Sequence, residues 1–354
     1  MRIFIQLDDL YPSNPNVLEP LLLDLIAMAA PDAFNEIEQP YKIYIVSSLL
    51  NPSSDLKVEW IQPSQVASFA LASNSTILIH FGPVADWGKN MRSFFIPLSL
   101  PHLESKMGWF KTKLENKKFN ATLQAASQVV ALDEWHAINR PGAKRVAIEN
   151  APLPNFEWSQ LAPIRSALTD GNQYLLAFVG TEEIITIVKS FSVFKKWQLS
   201  TMSLVFVLAS EEDRQKAANL LLGYKYRDAV ELVCINDFKL EWIAASYLTI
   251  FSKMNSYCFQ FLTYSMRYQI PFLLHQEANG PDFILPEMAA AGECFDFKAP
   301  DVLANHLKLY YKDEMYRAAK GVEVQKAVQT EISRFKEKAS IKWPRDLVLA
   351  GQIH

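Results

Sequence analysis

Short apolar runs, rich in β-branched and aromatic residues and separated by helix-length segments, recur along most of the chain. They are Arg2 to Leu7, Lys42 to Ser47, Thr76 to Phe81, Gln128 to Leu132, Arg145 to Ile148, Tyr174 to Val179, Ser203 to Leu208, Val230 to Ile235, Tyr247 to Phe251 and Pro271 to Leu274. A strand that is apolar on both faces must be covered on both, and helical crossovers supply that cover in parallel sheets. The pattern predicts an α/β protein built from doubly wound parallel sheets. At 354 residues the chain exceeds what one hydrophobic core usually serves, which predicts two domains.

Composition marks a boundary between them. Asn150 to Gly171 carries Pro152, Pro154, Pro163, Asp170 and Gly171 without clear periodicity and reads as a linker, after which a new strand begins at Tyr174. A first domain over 1–160 and a second over 161–338 are expected. Asp313 to Lys338 has helical spacing and mixed charge, and Lys342-Trp343-Pro344 ends it. The segment 339–354 is expected to return to the first domain. Neither an internal repeat nor a low-complexity tract occurs, which excludes solenoid architectures.

Bulk properties exclude several function classes. With 35 Lys and Arg against 38 Asp and Glu, the net charge of −3 gives no reason to expect nucleic acid as a partner. Cys234, Cys258 and Cys294 lack C-x-x-C spacing and sit in apolar stretches, as expected for buried thiols in a reducing compartment. The longest apolar stretch, Leu18 to Ala30, is interrupted by Glu19, Pro20 and Asp24, too short for a membrane span. MRIFIQLDDL reads as a strand followed by acids rather than a secretory signal, so a cytoplasmic protein is expected. There is no G-x-G-x-x-G, Walker loop or G-x-S-x-G elbow, and the six histidines lack zinc-ligand spacing.

The segment YLTIFSKMNSYCFQFLTYSMRYQIPFLL, Tyr247 to Leu274, resembles part of the nucleotide-sugar half of retaining GT-B glycosyltransferases of family 4. There a strand leads through a loop to Glu-Gly-Phe-Gly and a helix with a second Glu, closed by Gly-x-Pro. Here Ser256 and Tyr264 stand at the two glutamate positions, Tyr257 and Phe259 at the two glycines, and Gln269-Ile270-Pro271 closes the helix. ASQVVALDEWHAINRPGAKRVAIENAPLP is similar to the family's end of domain one, with Asn150 at its asparagine. YLLAFVG, ending at Gly180, resembles the opening of domain two, but Thr181-Glu182-Glu183 follow where a phosphate-contacting basic residue is usual. Pro286-Glu287, Gly292, Asp296 and Pro300-Asp301 resemble the closing strand, turn and helix, and Pro97 to His102 the strand ending in the active-site histidine.

The resemblance implies a GT-B architecture of two Rossmann-like domains facing a cleft. It implies transfer of a sugar from a UDP- or GDP-sugar, with retention and without a required cofactor or metal. The acceptor would be a glycan or a lipid-linked molecule, the latter bringing peripheral membrane contact. His102 would contact the donor sugar, and Asn150, Lys253, Ser256 and Tyr264 would line the cleft. A leaving diphosphate needs cations or helix N-terminal N–H groups; Lys253, before the helix at Ser256, and Arg214 and Lys216, after the strand ending at Leu208, are the candidates. Tyr264 offers ribose one phenolic oxygen in place of a carboxylate. Tyr257 and Phe259 would partly fill the space that glycines leave for phosphate, while Glu182 and Glu183 would repel it. Ser256 also suits helix capping. His80 and Asp8-Asp9, at strand ends, are secondary candidates. Losing both glutamates keeps open a second reading, a catalytically silent homologue that binds carbohydrate or a partner. A periplasmic-type binding protein is disfavoured by the missing signal.

Overall fold

The computed structural model describes residues 2–6, 42–46, 59–66, 68, 76–80, 88, 91–95, 109–131, 137–138, 140, 142–147, 158–252, 256–278, 286–339 and 341–342. The chain divides into two compact units, Met1–Pro152 with Ile332–His354, and Leu153–Glu331.

In the first unit, strands β1 (Arg2–Gln6), β2 (Lys42–Val46), β3 (Glu59–Ile61), β4 (Thr76–His80) and β5 (Arg92–Phe95) are followed by helix α1 (Trp109–Ala125), β6 (Gln128–Ala131) and β7 (Lys144–Ala147). β1 pairs in parallel with β2 on one side and β4 on the other, setting Ile5 beside Ile45 and Ile79. One face of this sheet buries Phe4, Tyr44, Val46, Ile61 and Leu78 together. The opposite face buries Ile3, Ile5, Ile45, Ile77 and Ile79. That alternation with neither face wet is why the runs read as uninterrupted apolar segments. Ser93 and Ser127 tie β5 to the start of β6 by reciprocal bonds, each backbone N–H donating to the other's hydroxyl at 3.0 and 3.1 Å.

The second unit opens with helix α2 (Trp158–Thr169), in a stretch whose prolines suggested a linker. Pro163 removes one N–H from the helix interior, yet the helix forms and ends in a turn that sequence spacing did not reveal. Asp170 and Gly171 take φ of 52° and 84°, and the Gly171 N–H donates to the Arg165 carbonyl at 3.1 Å, closing the last carbonyls of the helix. There follow β8 (Tyr174–Phe178), α3 (Ile184–Gln198), β9 (Ser203–Leu208), α4 (Glu211–Leu220), β10 (Val230–Cys234), α5 (Glu241–Ala245), β11 (Leu248–Phe251), α6 (Ser256–Arg267), β12 (Phe272–His275), α7 (Pro286–Ala291), β13 (Glu293–Phe295), α8 (Pro300–Lys312) and α9 (Glu314–Lys338). The last strand, β14 (Ile341–Lys342), pairs with β7 and so belongs to the first sheet.

The strand order is β14-β7-β6-β5-β4-β1-β2-β3 in the first sheet and β10-β9-β8-β11-β12-β13 in the second. Every described pairing is parallel. In the second sheet Leu175, Ala177, Leu204, Phe206, Leu248, Ile250 and Leu273 form one buried face against Ile187, Phe191 and Phe194 of α3 and Leu303 and Leu307 of α8. On the other face Phe178 is the hub of an aromatic cluster. Its ring stacks on Phe251 at 5.0 Å and Phe261 at 4.9 Å and meets Phe238 edge-on at 5.6 Å. Such pairs add about 0.5–1.5 kcal/mol each beyond burial.

Two close contacts pack the elements around this sheet. Gln269, with φ of 60°, ends α6 in the left-handed conformation usually taken by glycine, and Gln325 of α9 donates to the Arg267 carbonyl at 3.1 Å. That conformation explains why the related motif has glycine at this place. Gly292 lies against Phe272, and a Cβ there would fall 2.1 Å from the buried ring. Cys234 is buried and Cys258 and Cys294 half-buried; helical and edge positions leave the latter two less covered than their apolar neighbours suggested. Among the described residues no helix is long and apolar enough to cross a membrane.

Gly292→Ala is expected to lower stability by about 1–3 kcal/mol through overpacking, read as a lower denaturant midpoint. Gly223→Ala, where a Cβ meets nothing within 4 Å, should leave the midpoint nearly unchanged.

Candidate functional site

In an open α/β sheet, ligands gather outside the carboxyl ends of the strands at the point where the winding reverses. The second sheet runs from β8 outward to β9 and β10 on one side and to β11, β12 and β13 on the other, so its reversal lies between β8 and β11. Gly180 follows β8, and Ser252 follows β11 and is buried. Glu183 joins them. Its Oε2 accepts from the Gly180 N–H at 2.5 Å and from the Ser252 hydroxyl at 3.1 Å. The backbone turns through a short 3-10 segment, Thr181–Glu183, before α3, and that turn carries the carboxylate back over the strand end.

His275 ends β12 on the same edge and is 5% exposed. Its ring packs on Phe297 at 4.2 Å and lies 5.6 Å from Phe295, and its Nε2 is 3.9 Å from Asp296 Oδ1. Burial holds its pKa below the ordinary imidazole value, while Glu277, Asp296 and Glu183 oppose that shift without reversing it. The neutral ring can donate one hydrogen bond and accept one. Sequence reasoning counted this histidine only among the six that lack zinc-ligand spacing; its place at the end of an apolar run was the signal that could have marked it.

Among the described residues, the edge beyond β9 is rich in acids. Glu211, Glu212 and Asp213 form the first turn of α4, which Ser210 caps by accepting from the Asp213 N–H at 3.1 Å. Arg214 and Lys216 lie on this exposed helix and are paired with its own acids, Arg214 with Glu211 at 2.5 Å and Lys216 with Glu212 at 2.7 Å. Each acid raises the pKa of its cation through hydrogen bonding. Exposed pairs one helical turn apart contribute little stability, but they explain the orientation of both cations, which sequence reasoning assigned to a diphosphate. Cys234 donates to Glu211 at 3.2 Å, and burial, reinforced by that carboxylate, pushes its thiol up to about 11, far from a thiolate nucleophile.

Helix α6 starts at Ser256, so this residue occupies the helix N-terminus that the sequence assigned to it. Tyr264 is only 4% exposed and has the Arg267 guanidinium 5.3 Å over its ring. Little of its surface is open to a ribose, and the side chain packs along α6. Phe259 is buried, as are Leu262 and Met266 at helical spacing from it. His102, Asn150, Lys253 and the pair Asp8-Asp9 lie outside the described residues, as does the side chain of Tyr257. In the first unit the winding reverses between β1 and β4, where Gln6 and His80 are adjacent in register and almost wholly buried. His80 stacks on Phe95 at 5.2 Å. Among the described residues no group of three or more His, Cys, Asp or Glu is placed to hold a metal ion.

No family model matches the chain, and no curated protein matches it in sequence. Solved structures do. WaaG, a glycosyltransferase involved in lipopolysaccharide biosynthesis, superposes with a TM-score of 0.60 at 12% identity, covering 96% of this chain and 99% of that one. Anabaena HepE in complex with UDP and glucose gives 0.61 at 12% identity, covering 96% and 98%. Sucrose-phosphate synthase from Thermosynechococcus elongatus gives 0.55 at 12%, covering 99% and 98%. The chain therefore has the GT-B fold of these glycosyltransferases, and the resemblance to family 4 holds at the level of architecture.

Because His275 binds a proton less readily folded than unfolded, its contribution to stability is complete above the ordinary imidazole pKa of about 6.5. It is lost as pH falls below that value toward the folded pKa. An NMR titration of the imidazole should give a midpoint below that of a free histidine, and His275→Asn should flatten this part of the stability profile. An ordinary or raised midpoint would contradict the burial argument.

Proposed function

We propose that the chain is a glycosyltransferase that moves a sugar from a UDP- or GDP-sugar to a glycan or lipid-linked acceptor. The observation that carries this reading is the second sheet. Its winding reverses between β8 and β11, and the Gly180 N–H, the Ser252 hydroxyl and the start of α6 are placed at or just beyond the carboxyl ends of those strands. Those groups are the kind that bind phosphate. The HepE structures with UDP and with UDP-glucose support a nucleotide-sugar donor for a chain of this fold.

In this reading the donor diphosphate lies beyond β8 and β11, with Lys253 and the N-terminal N–H groups of α6 at Ser256 taking its charge as the bond to the sugar breaks. By the resemblance, His102 is the residue assigned to the donor sugar. Neutral His275 supplies a hydrogen bond without adding charge. Arg214 and Lys216 shape the field of the same edge through their pairs with Glu211 and Glu212. Retention at the anomeric carbon follows from the resemblance.

A second reading, a non-catalytic homologue that binds carbohydrate or a partner protein, is favoured by one observation. The acids after β8 and β9 occupy an edge where a dianionic ligand would otherwise be drawn. Thermal unfolding with UDP-, GDP-, ADP- and TDP-sugars separates the two. A functional donor site should raise the midpoint for at least one nucleotide, by about 2.7 kcal/mol of added stability at a hundredfold excess over Kd, and Lys253→Ala should shrink that shift. A flat response across the panel would favour the second reading.

A further inference from the structure

The seat at the end of β8 is already filled by an anion of the chain itself. Glu183 Oε2 takes the N–H of Gly180 and the hydroxyl of Ser252, two donors that a phosphate oxygen at the reversal point would use. The bond to Gly180 alone is what a capping glutamate makes three residues beyond a turn. The bond to Ser252 is different, because it comes from another strand 69 residues along the chain. The carboxylate thus spans the two strands that flank the reversal point, as a bound ligand anion would.

We propose that Glu183 is an internal competitor for the donor diphosphate and sets the affinity of the site for phosphorylated ligands. This rests on the nucleotide-sugar reading above. A diphosphate gains the Gly180 and Ser252 donors only when the Glu183 side chain leaves them, and a carboxylate remaining within about 4 Å of a phosphate opposes binding further. Ligands without phosphate meet no such opposition. The acid therefore gates the charged part of the donor and leaves recognition of base and sugar untouched.

Calorimetric titration of UDP, GDP, ADP and TDP, and of uridine as the ligand without phosphate, into the wild-type protein, Glu183→Gln and Glu182→Gln tests this. The outcomes given for UDP hold for whichever diphosphate binds. Glutamine keeps the shape and the acceptor oxygen but removes the charge. UDP should bind Glu183→Gln about tenfold or more tighter than wild type, and uridine should respond equally to both proteins. Glu182→Gln, which removes the same charge one residue away from the seat, should change UDP affinity less than about twofold. Glu183→Ala carries the same expectation if the glutamine variant does not fold. Wild-type protein that binds UDP as tightly as a folded Glu183→Gln variant overturns the competitor role and leaves the nucleotide-sugar reading standing, as does an equal gain in Glu182→Gln. Failure of UDP, GDP, ADP and TDP to bind any of the proteins overturns both.

Discussion

Both faces of β8 are closed to water, with Tyr174 through Phe178 all buried, so every backbone group of the strand must find its partner in a neighbouring strand. β9 and β11 provide them in register on either side. The chain reaches β9 through α3 on one side and β11 only after α4, β10 and α5, and that detour makes the winding reverse beside β8. The reversal point is therefore a consequence of burying this strand. What lies just beyond its end, Gly180 and the turn to Glu183, inherits a rigid base. Phe178 anchors the opposite face through Phe238, Phe251 and Phe261, holding α6 against the sheet whose edge carries Ser252.

The electrostatics of that edge follow from helix chemistry. Helix N-termini present unsatisfied N–H groups and a partial positive charge, and acids in the first turn are favourable there. The chain uses this for itself at α4, with Glu211, Glu212 and Asp213, and at the turn into α3, with Glu183. The same property would attract a ligand phosphate. A protein of this fold that fills such positions with its own carboxylates has shifted the balance between an empty and an occupied site toward the empty state, without changing the scaffold.

Much of the scaffold was legible because its strands are two-face buried. Ser203 to Leu208 was read with the observed boundaries, and β1, β2, β4 and β8 were read to within one residue. β3, Glu59–Ile61, escaped because three residues carry too little periodicity, and β5 because Arg92 and Ser93 precede its aromatic pair. Pro163 hid α2, since a proline is weighed as a breaker while the packing that tolerates it is tertiary. At the site, the pairing of Arg214 with Glu211 and of Lys216 with Glu212 was available from their spacing of three and four residues. The bond from Ser252 to Glu183 was not, because nothing local links residues 69 apart; only the assembled sheet brings β8 and β11 side by side. The burial of Tyr264 and Phe259 was not legible for a related reason. A motif position tells where a residue lies along a helix, whereas its burial depends on which stripe of that helix faces the sheet.

The central claim is that the Gly180 amide, held by Glu183, is the hinge between the free and ligand-bound site. Its resonance in a 15N-resolved NMR spectrum reports this directly. The bond to the carboxylate should shift the amide in the free protein away from its position in Glu183→Ala, and saturating UDP should move it as phosphate replaces the carboxylate. A Gly180 resonance that is the same in Glu183→Ala and does not respond to UDP, while the nucleotide binds elsewhere on the protein, would contradict the account.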